Sequence, residues 1–186
     1  MVFYIQMIKQ TTDRKGVFNM KKSVVSLNGY EIVKGQKSGS FLVNGRAVNR
    51  GEFVEMVLTE KMFGQVWHKD HIAYNEGSDI DAYGIGYSVK SAKASLTEKI
   101  LRDDMSENSR QSIIAEYLEN VASQKFLYGI EISGEMVVYE MDKKEFAEFL
   151  QDMWTMDKQS GKNQYKLRIR RADTKVIQYF ENLLER

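Results

Sequence analysis

The sequence predicts an α/β (α+β) domain in which a mixed central sheet is flanked by helices. Strand-like runs with period-two alternation are interleaved with runs of helical period along most of the chain. With no proline present, each change of period rests on Gly, Asn, Asp or Ser. Of the 186 residues, 42% are hydrophobic and 28% charged, which suits a packed core and excludes a disordered or fibrous chain. The length is that of one compact unit, so residues 1–186 are expected to form a single domain.

Met20 is a second start-like methionine followed by Lys21 and Lys22, so the stretch up to residue 22 reads as an N-terminal extension or a loosely held strand. From Ser23 to Val33, Asn28-Gly29 separates two β-rich runs and predicts a hairpin that opens the domain. A second short turn is expected at Asn44-Gly45. Phe53, Val57, Leu58 and Met62 then recur at helical spacing, with Asn49 as N-cap and Gly64 as stop. Alternation between Trp67 and Lys90 predicts two antiparallel strands.

Ser95 and Glu98 have capping-box spacing and open a helix through Leu101. A second helix, about Ser109 to Ala122, places Ile113, Ile114, Tyr117, Leu118 and Val121 on one face. Strands are expected at Phe126–Ile132 and Met136–Glu140 around Ser133-Gly134, and Asp142 caps a helix carrying Phe146, Phe149 and Leu150. Alternation in Lys166–Arg171 predicts a last strand, followed by a helix from about Thr174 to Leu184.

Composition narrows the chemistry. Without cysteine there is no disulfide, thiolate zinc site or cysteine nucleophile, and with two histidines any metal must be held mainly by oxygen. No run approaches the roughly 18 to 20 apolar residues that span a bilayer, and no secretory signal is evident, so a cytoplasmic protein without membrane contact is expected. A net charge of +1 leaves attraction to nucleic acid to a local patch. Lys166, Arg168 and Arg170 share one face of their predicted strand and suit phosphate contact, or else form a charged edge; Lys93 is a further candidate.

Hydrolysis of a phosphodiester by a divalent cation needs carboxylates converging on the metal and a cation near the attacking water or the phosphate. Gly77, Asp79, Asp81, Tyr87, Ser88 and Lys90 lie on a predicted hairpin able to present such groups. Over residues 50–105 this pattern resembles the PD-(D/E)XK nuclease superfamily. There an Asp at the start of one strand precedes an acid-x-Lys on the next, and an upstream helix often supplies a Glu. The resemblance implies a restriction-endonuclease-like core in which Asp79 holds metal, Lys90 orients the nucleophilic water, and Glu52 or Glu55 completes the shell. It also implies Mg²⁺ or Mn²⁺ as cofactor, double-stranded DNA as partner, and a homodimer. The expected activity is that of a Mg²⁺-dependent endonuclease of restriction or phage type.

Ser88 departs from the pattern, because it stands where the family has its acid. One branch of the superfamily, restriction endonucleases of CCGG-related sites, is similar in having Ser-x-Lys and an acid on the following helix. Glu98, Asp103 and Asp104 are the candidates for that migrated ligand, the last two 13 and 14 residues beyond Lys90. Offset favours Asp103 or Asp104, whereas proximity to the hairpin favours Glu98. If none serves, the alternative is a degenerate core that binds DNA or a protein without cutting. Plainer roles compete: Asp79 and Asp81 as turn residues, Glu55 as a solvated helix charge, His68 and His71 as surface or cleft-lining groups. Trp67, Tyr83 and Tyr87 either stack on bases or belong to the core.

Overall fold

A computed structural model describes residues 19–35, 40–68, 78–91, 107–158, 165–169 and 173–185, the side chains of 107–110, 154–158, 165–169 and 173 excepted. In chain order the strands of its first half are β1 (Lys21–Ser26), β2 (Ile32–Lys34), β3 (Ser40–Val43) and β4 (Arg46–Asn49). Helix α1 (Arg50–Val57) runs into a π-helical turn (Leu58–Met62), and β5 (Ile80–Ala82) and β6 (Ile85–Ser91) come next. After α2 (Glu107–Asn120) come β7 (Lys125–Ile132), β8 (Glu135–Asp142), α3 (Lys143–Met153), β9 (Trp154–Lys158), β10 (Tyr165–Ile169) and α4 (Asp173–Leu184). The content is α+β, as the alternating periods predict. Among the described residues no helix is long and apolar enough to cross a membrane.

A five-stranded sheet has the order β1-β8-β7-β6-β5, and β6 and β7 are its parallel pair, joined through α2. Its central strands are buried on both faces, so one pleat feeds two cores. Phe126, Tyr128 and Ile130 of β7 pack with Tyr139 and Met141 of β8 against α2, α3 and α4. Leu127, Met136 and Val138 face the other way, toward α1 and the small sheet β2-β3-β4. Continuous burial of Phe126 to Ile130 explains why the middle of β7 reads as an apolar run rather than a clean alternation.

Turn chemistry sets the local joints. Asn44-Gly45, Tyr83-Gly84 and Ser133-Gly134 each place two successive residues at positive φ, the conformation that lets a two-residue turn match the strand twist. The opening hairpin is a correction. Gly29 does turn the chain, at φ 92°, yet β1 and β2 do not pair. Instead β1 runs antiparallel to β8, Lys21 opposite Glu140 through Ser26 opposite Glu135, and β2 pairs with β3. Six ladder positions on β8 outweigh the three that β2 could offer. Sequence reasoning also missed β9, the antiparallel partner of β10.

Helix α1 begins at a complete capping box. Asn49 Oδ1 accepts from the Glu52 N–H at 3.0 Å, and Glu52 Oε2 accepts from the Asn49 N–H at 2.7 Å. Phe53, Val54, Met56, Val57 and Leu58 are all buried, each contributing about 1.5–3 kcal/mol by leaving water. Gly129 of β7 allows the close approach, since a Cβ there would meet Val54 Cγ1 at 2.4 Å.

Candidate metal and phosphate site

The site forms where α1, the segment after it and the β5–β6 hairpin meet. Ile80 pairs with Tyr87, so Asp79, one residue before β5, stands across from Ser88. Ser88 and Lys90 lie two apart on β6 and share a face. The three side chains form one chain of contacts. Lys90 Nζ donates to Ser88 Oγ at 2.6 Å, and Ser88 Oγ donates to Asp79 Oδ2 at 3.1 Å. The Val89 N–H donates to the same oxygen at 2.6 Å, and the Lys90 ammonium lies 3.9 Å from it. Among the described residues, Oδ1 of Asp79 receives no hydrogen bond, and the Asp79 side chain is 41% exposed.

Glu55 supplies the opposite wall. The π-helical turn widens the end of α1, with the Phe63 N–H bonded to the Leu58 carbonyl, and Gly64 at φ 66° reverses the chain. Gln65 Nε2 then donates to the Asp81 carbonyl at 2.9 Å and ties the returning segment to β5. That return delivers Trp67, whose indole N–H donates to Glu55 Oε1 at 3.1 Å in a buried contact. Glu55, Trp67, His68, Ser78, Asp79 and Asp81 line one cleft of about 200 Å³. Gly86 keeps its near end clear, because a Cβ there would fall 1.9 Å from Ser78 Oγ.

The electrostatics follow from this placement. Burial pushes the Glu55 carboxyl up to about 7, and the charges of Asp79 and Glu52 push the same way. The Trp67 hydrogen bond and the Lys90 charge oppose the rise. Burial also holds Lys90 below the usual lysine range, against the pull of Asp79 and Glu55. Two carboxylates that repel each other across a partly open cleft make a pair that a divalent cation would stabilise. Mg²⁺ binds through one or two carboxylates with water and substrate phosphate completing its shell, and Glu55 and Asp79 are donors of that type on one cleft. Among the described residues, no group of three or more His, Cys, Asp or Glu is close enough to hold a metal.

Of the residues singled out in sequence, Asp79, Lys90 and Glu55 come together here. Glu52 is spent in the α1 cap, although its charge still reaches Glu55. Glu98, Asp103, Asp104 and Lys93 lie outside the described residues, as do His71 and Arg170. Lys166 and Arg168 lie on the backbone of β10, with side chains outside the description. His68 is exposed in the cleft wall. Tyr83 is 84% exposed, whereas Tyr87 and Trp67 are core residues and so do not present rings for base stacking. Sequence reasoning missed Trp67 as the partner of Glu55 and missed the hydroxyl bridge of Ser88. The Asn49–Glu52 spacing could have identified the capping box.

Comparison with known proteins finds no matching family model and no significant match among curated proteins or solved structures.

Proposed function

We propose that the chain is a Mg²⁺-dependent endodeoxyribonuclease of restriction or phage type, built on a restriction-endonuclease-like core. The observation that carries this reading is the Lys90 ammonium, held 3.9 Å from Asp79 Oδ2 across an antiparallel hairpin. Asp79 in turn shares its cleft with the buried carboxylate of Glu55. Glu55 and Asp79 would hold the cation, for which Mn²⁺ is a substitute. Bound there, it supplies charge neutralisation at the phosphate and a lowered pKa for water. Lys90 would orient the attacking water and stabilise the negative charge that grows on the phosphoryl oxygens. Ser88 keeps the ammonium aimed at the site. In the hydrolysis a water oxygen bonds to phosphorus, one ester P–O bond breaks, and the released sugar oxygen takes a proton. Double-stranded DNA in the cytoplasm would be the substrate, engaged by a homodimer, with a carboxylate from Glu98, Asp103 or Asp104 adding a third metal ligand.

Two observations favour a second reading, a nuclease-like domain that binds DNA or a protein without cutting. Ser88 stands in the acid position, and although Glu55, Asp79 and Asp81 all line the cleft, no three such groups among the described residues are close enough to hold a metal. Incubation of purified protein with supercoiled plasmid separates the readings. Nicking or linearisation in Mg²⁺ or Mn²⁺ that is absent in EDTA and in Lys90→Ala supports the enzyme. An intact plasmid in both metals overturns it in favour of binding alone.

A further inference from the structure

An acidic cleft repels the phosphates it is meant to receive, so a fixed cation beside it is needed to hold a DNA strand there. Arg46 has the right placement. It follows the Asn44-Gly45 turn directly, and Asn44 is pinned at both ends: its N–H donates to the Glu31 carbonyl at 2.8 Å, and its Oδ1 accepts from the Glu31 N–H at 2.8 Å. The exposed Arg46 guanidinium lies over the Trp67 ring, 5.7 Å from its centroid, while the indole edge is bonded to Glu55 at 3.1 Å. Stacking orients a guanidinium and leaves its five N–H donors free for phosphate oxygens. Among the described residues no carboxylate pairs with Arg46.

Resting on the DNA reading of the cleft, we propose that Arg46, held on the face of Trp67, contacts the DNA phosphate backbone beside Glu55 and Asp79. With about 3.4 Å of rise per nucleotide along one strand, the contact falls within a few nucleotides of the phosphate at the cleft. Trp67 thereby serves two roles, its edge fixing a carboxylate and its face fixing a cation.

The test is equilibrium binding of a short fluorescein-labelled duplex in EDTA across about 50 to 200 mM salt. Arg46→Ala is expected to reduce the log–log salt slope by about one unit, while Arg46→Lys keeps the slope by keeping the charge. Trp67→Phe keeps a ring face under Arg46 and is expected to leave the slope unchanged. An unaltered slope in Arg46→Ala, or a wild-type protein that binds no duplex, overturns the assignment. Plasmid cleavage is scored separately. If the wild type binds with an Arg46-dependent slope and never cuts, the nuclease reading fails and the Arg46 contact stands. If it cuts and Arg46→Ala leaves the slope untouched, the reverse holds.

Discussion

Ser88 Oγ lies between Lys90 Nζ, at 2.6 Å, and Asp79 Oδ2, at 3.1 Å, and as donor to one and acceptor from the other it bridges two oppositely charged groups. Ser88→Ala removes both bonds and leaves Asp79 Oδ2 with the Val89 N–H. A loss of roughly 1 kcal/mol in stability is expected, the usual worth of such a bond. If Lys90 acts on the scissile phosphate, turnover should fall about tenfold with duplex affinity unchanged, which corresponds to about 1.4 kcal/mol of misplaced stabilisation. Denaturant melts and single-turnover cleavage measure the two effects, and unchanged turnover would confine Ser88 to a structural role.

Lys90 itself tolerates less. Its side chain is 15% exposed and enclosed beside Asp79. Lys90→Gln keeps much of the volume and removes the positive charge. Cleavage should drop by about 100-fold or more, the range seen when one preorganised electrostatic group is deleted. Duplex binding in EDTA should change little. Retained cleavage in a folded Lys90→Gln protein would remove the ammonium from the chemistry.

Glu55 makes stability depend on pH. Its carboxyl is pushed up to about 7 in the folded chain, chiefly by burial, from an ordinary value of 4.5. Between these values the folded state holds a proton that the unfolded state has released, so stability falls as pH rises through the window. The full effect is roughly 3 kcal/mol. Glu55→Gln, which can still accept from Trp67, should therefore exceed the wild type in stability at pH 8 without added metal. The gap should close toward pH 4.5. Urea melts at several pH values in EDTA test this, and a gap independent of pH would mean that Glu55 is ionised throughout.

Gly129 sets how closely α1 approaches the sheet. A Cβ at this position meets Val54 Cγ1 at 2.4 Å, and Val54 is the neighbour of Glu55. Gly129→Ala should cost about 1–3 kcal/mol by overpacking and should reduce cleavage by displacing Glu55. Adding Val54→Ala removes the clashing methyl, so the double variant should recover part of both losses in a non-additive way. Strict additivity in a double-mutant cycle would show that the two residues do not press on each other.

Much of this arrangement is legible in short windows of sequence. The Asn44-Gly45 and Ser133-Gly134 turns, the α2, α3 and α4 helices and the β5–β6 hairpin all follow from periods and turn residues within about a dozen positions. The meeting of Asp79 with Lys90 belongs here too, because a two-residue turn sets which positions oppose each other. Asn28-Gly29 shows where that reasoning ends. Its turn forms, but the strands on either side pair elsewhere, since a local hairpin of three positions competes with a distant ladder of six.

By itself the sequence determined the α+β content, most local elements, the absence of any thiolate ligand and the facing of Asp79 toward Lys90. Each of these depends on residue type and on spacing along the chain. Tertiary structure alone decided that Glu55 rather than Glu52 enters the cleft, that Trp67 anchors it, and that Arg46 lies on the other side of that ring. Glu52 and Glu55 differ by three positions on one helix and are chemically alike; the spacing from Asn49 marks Glu52 as a capping residue, but nothing local marks Glu55 as buried. Packing separates them: the cap consumes the first carboxylate, while the sheet beneath α1 and the returning chain after Gly64 enclose the second, and burial gives it its chemistry.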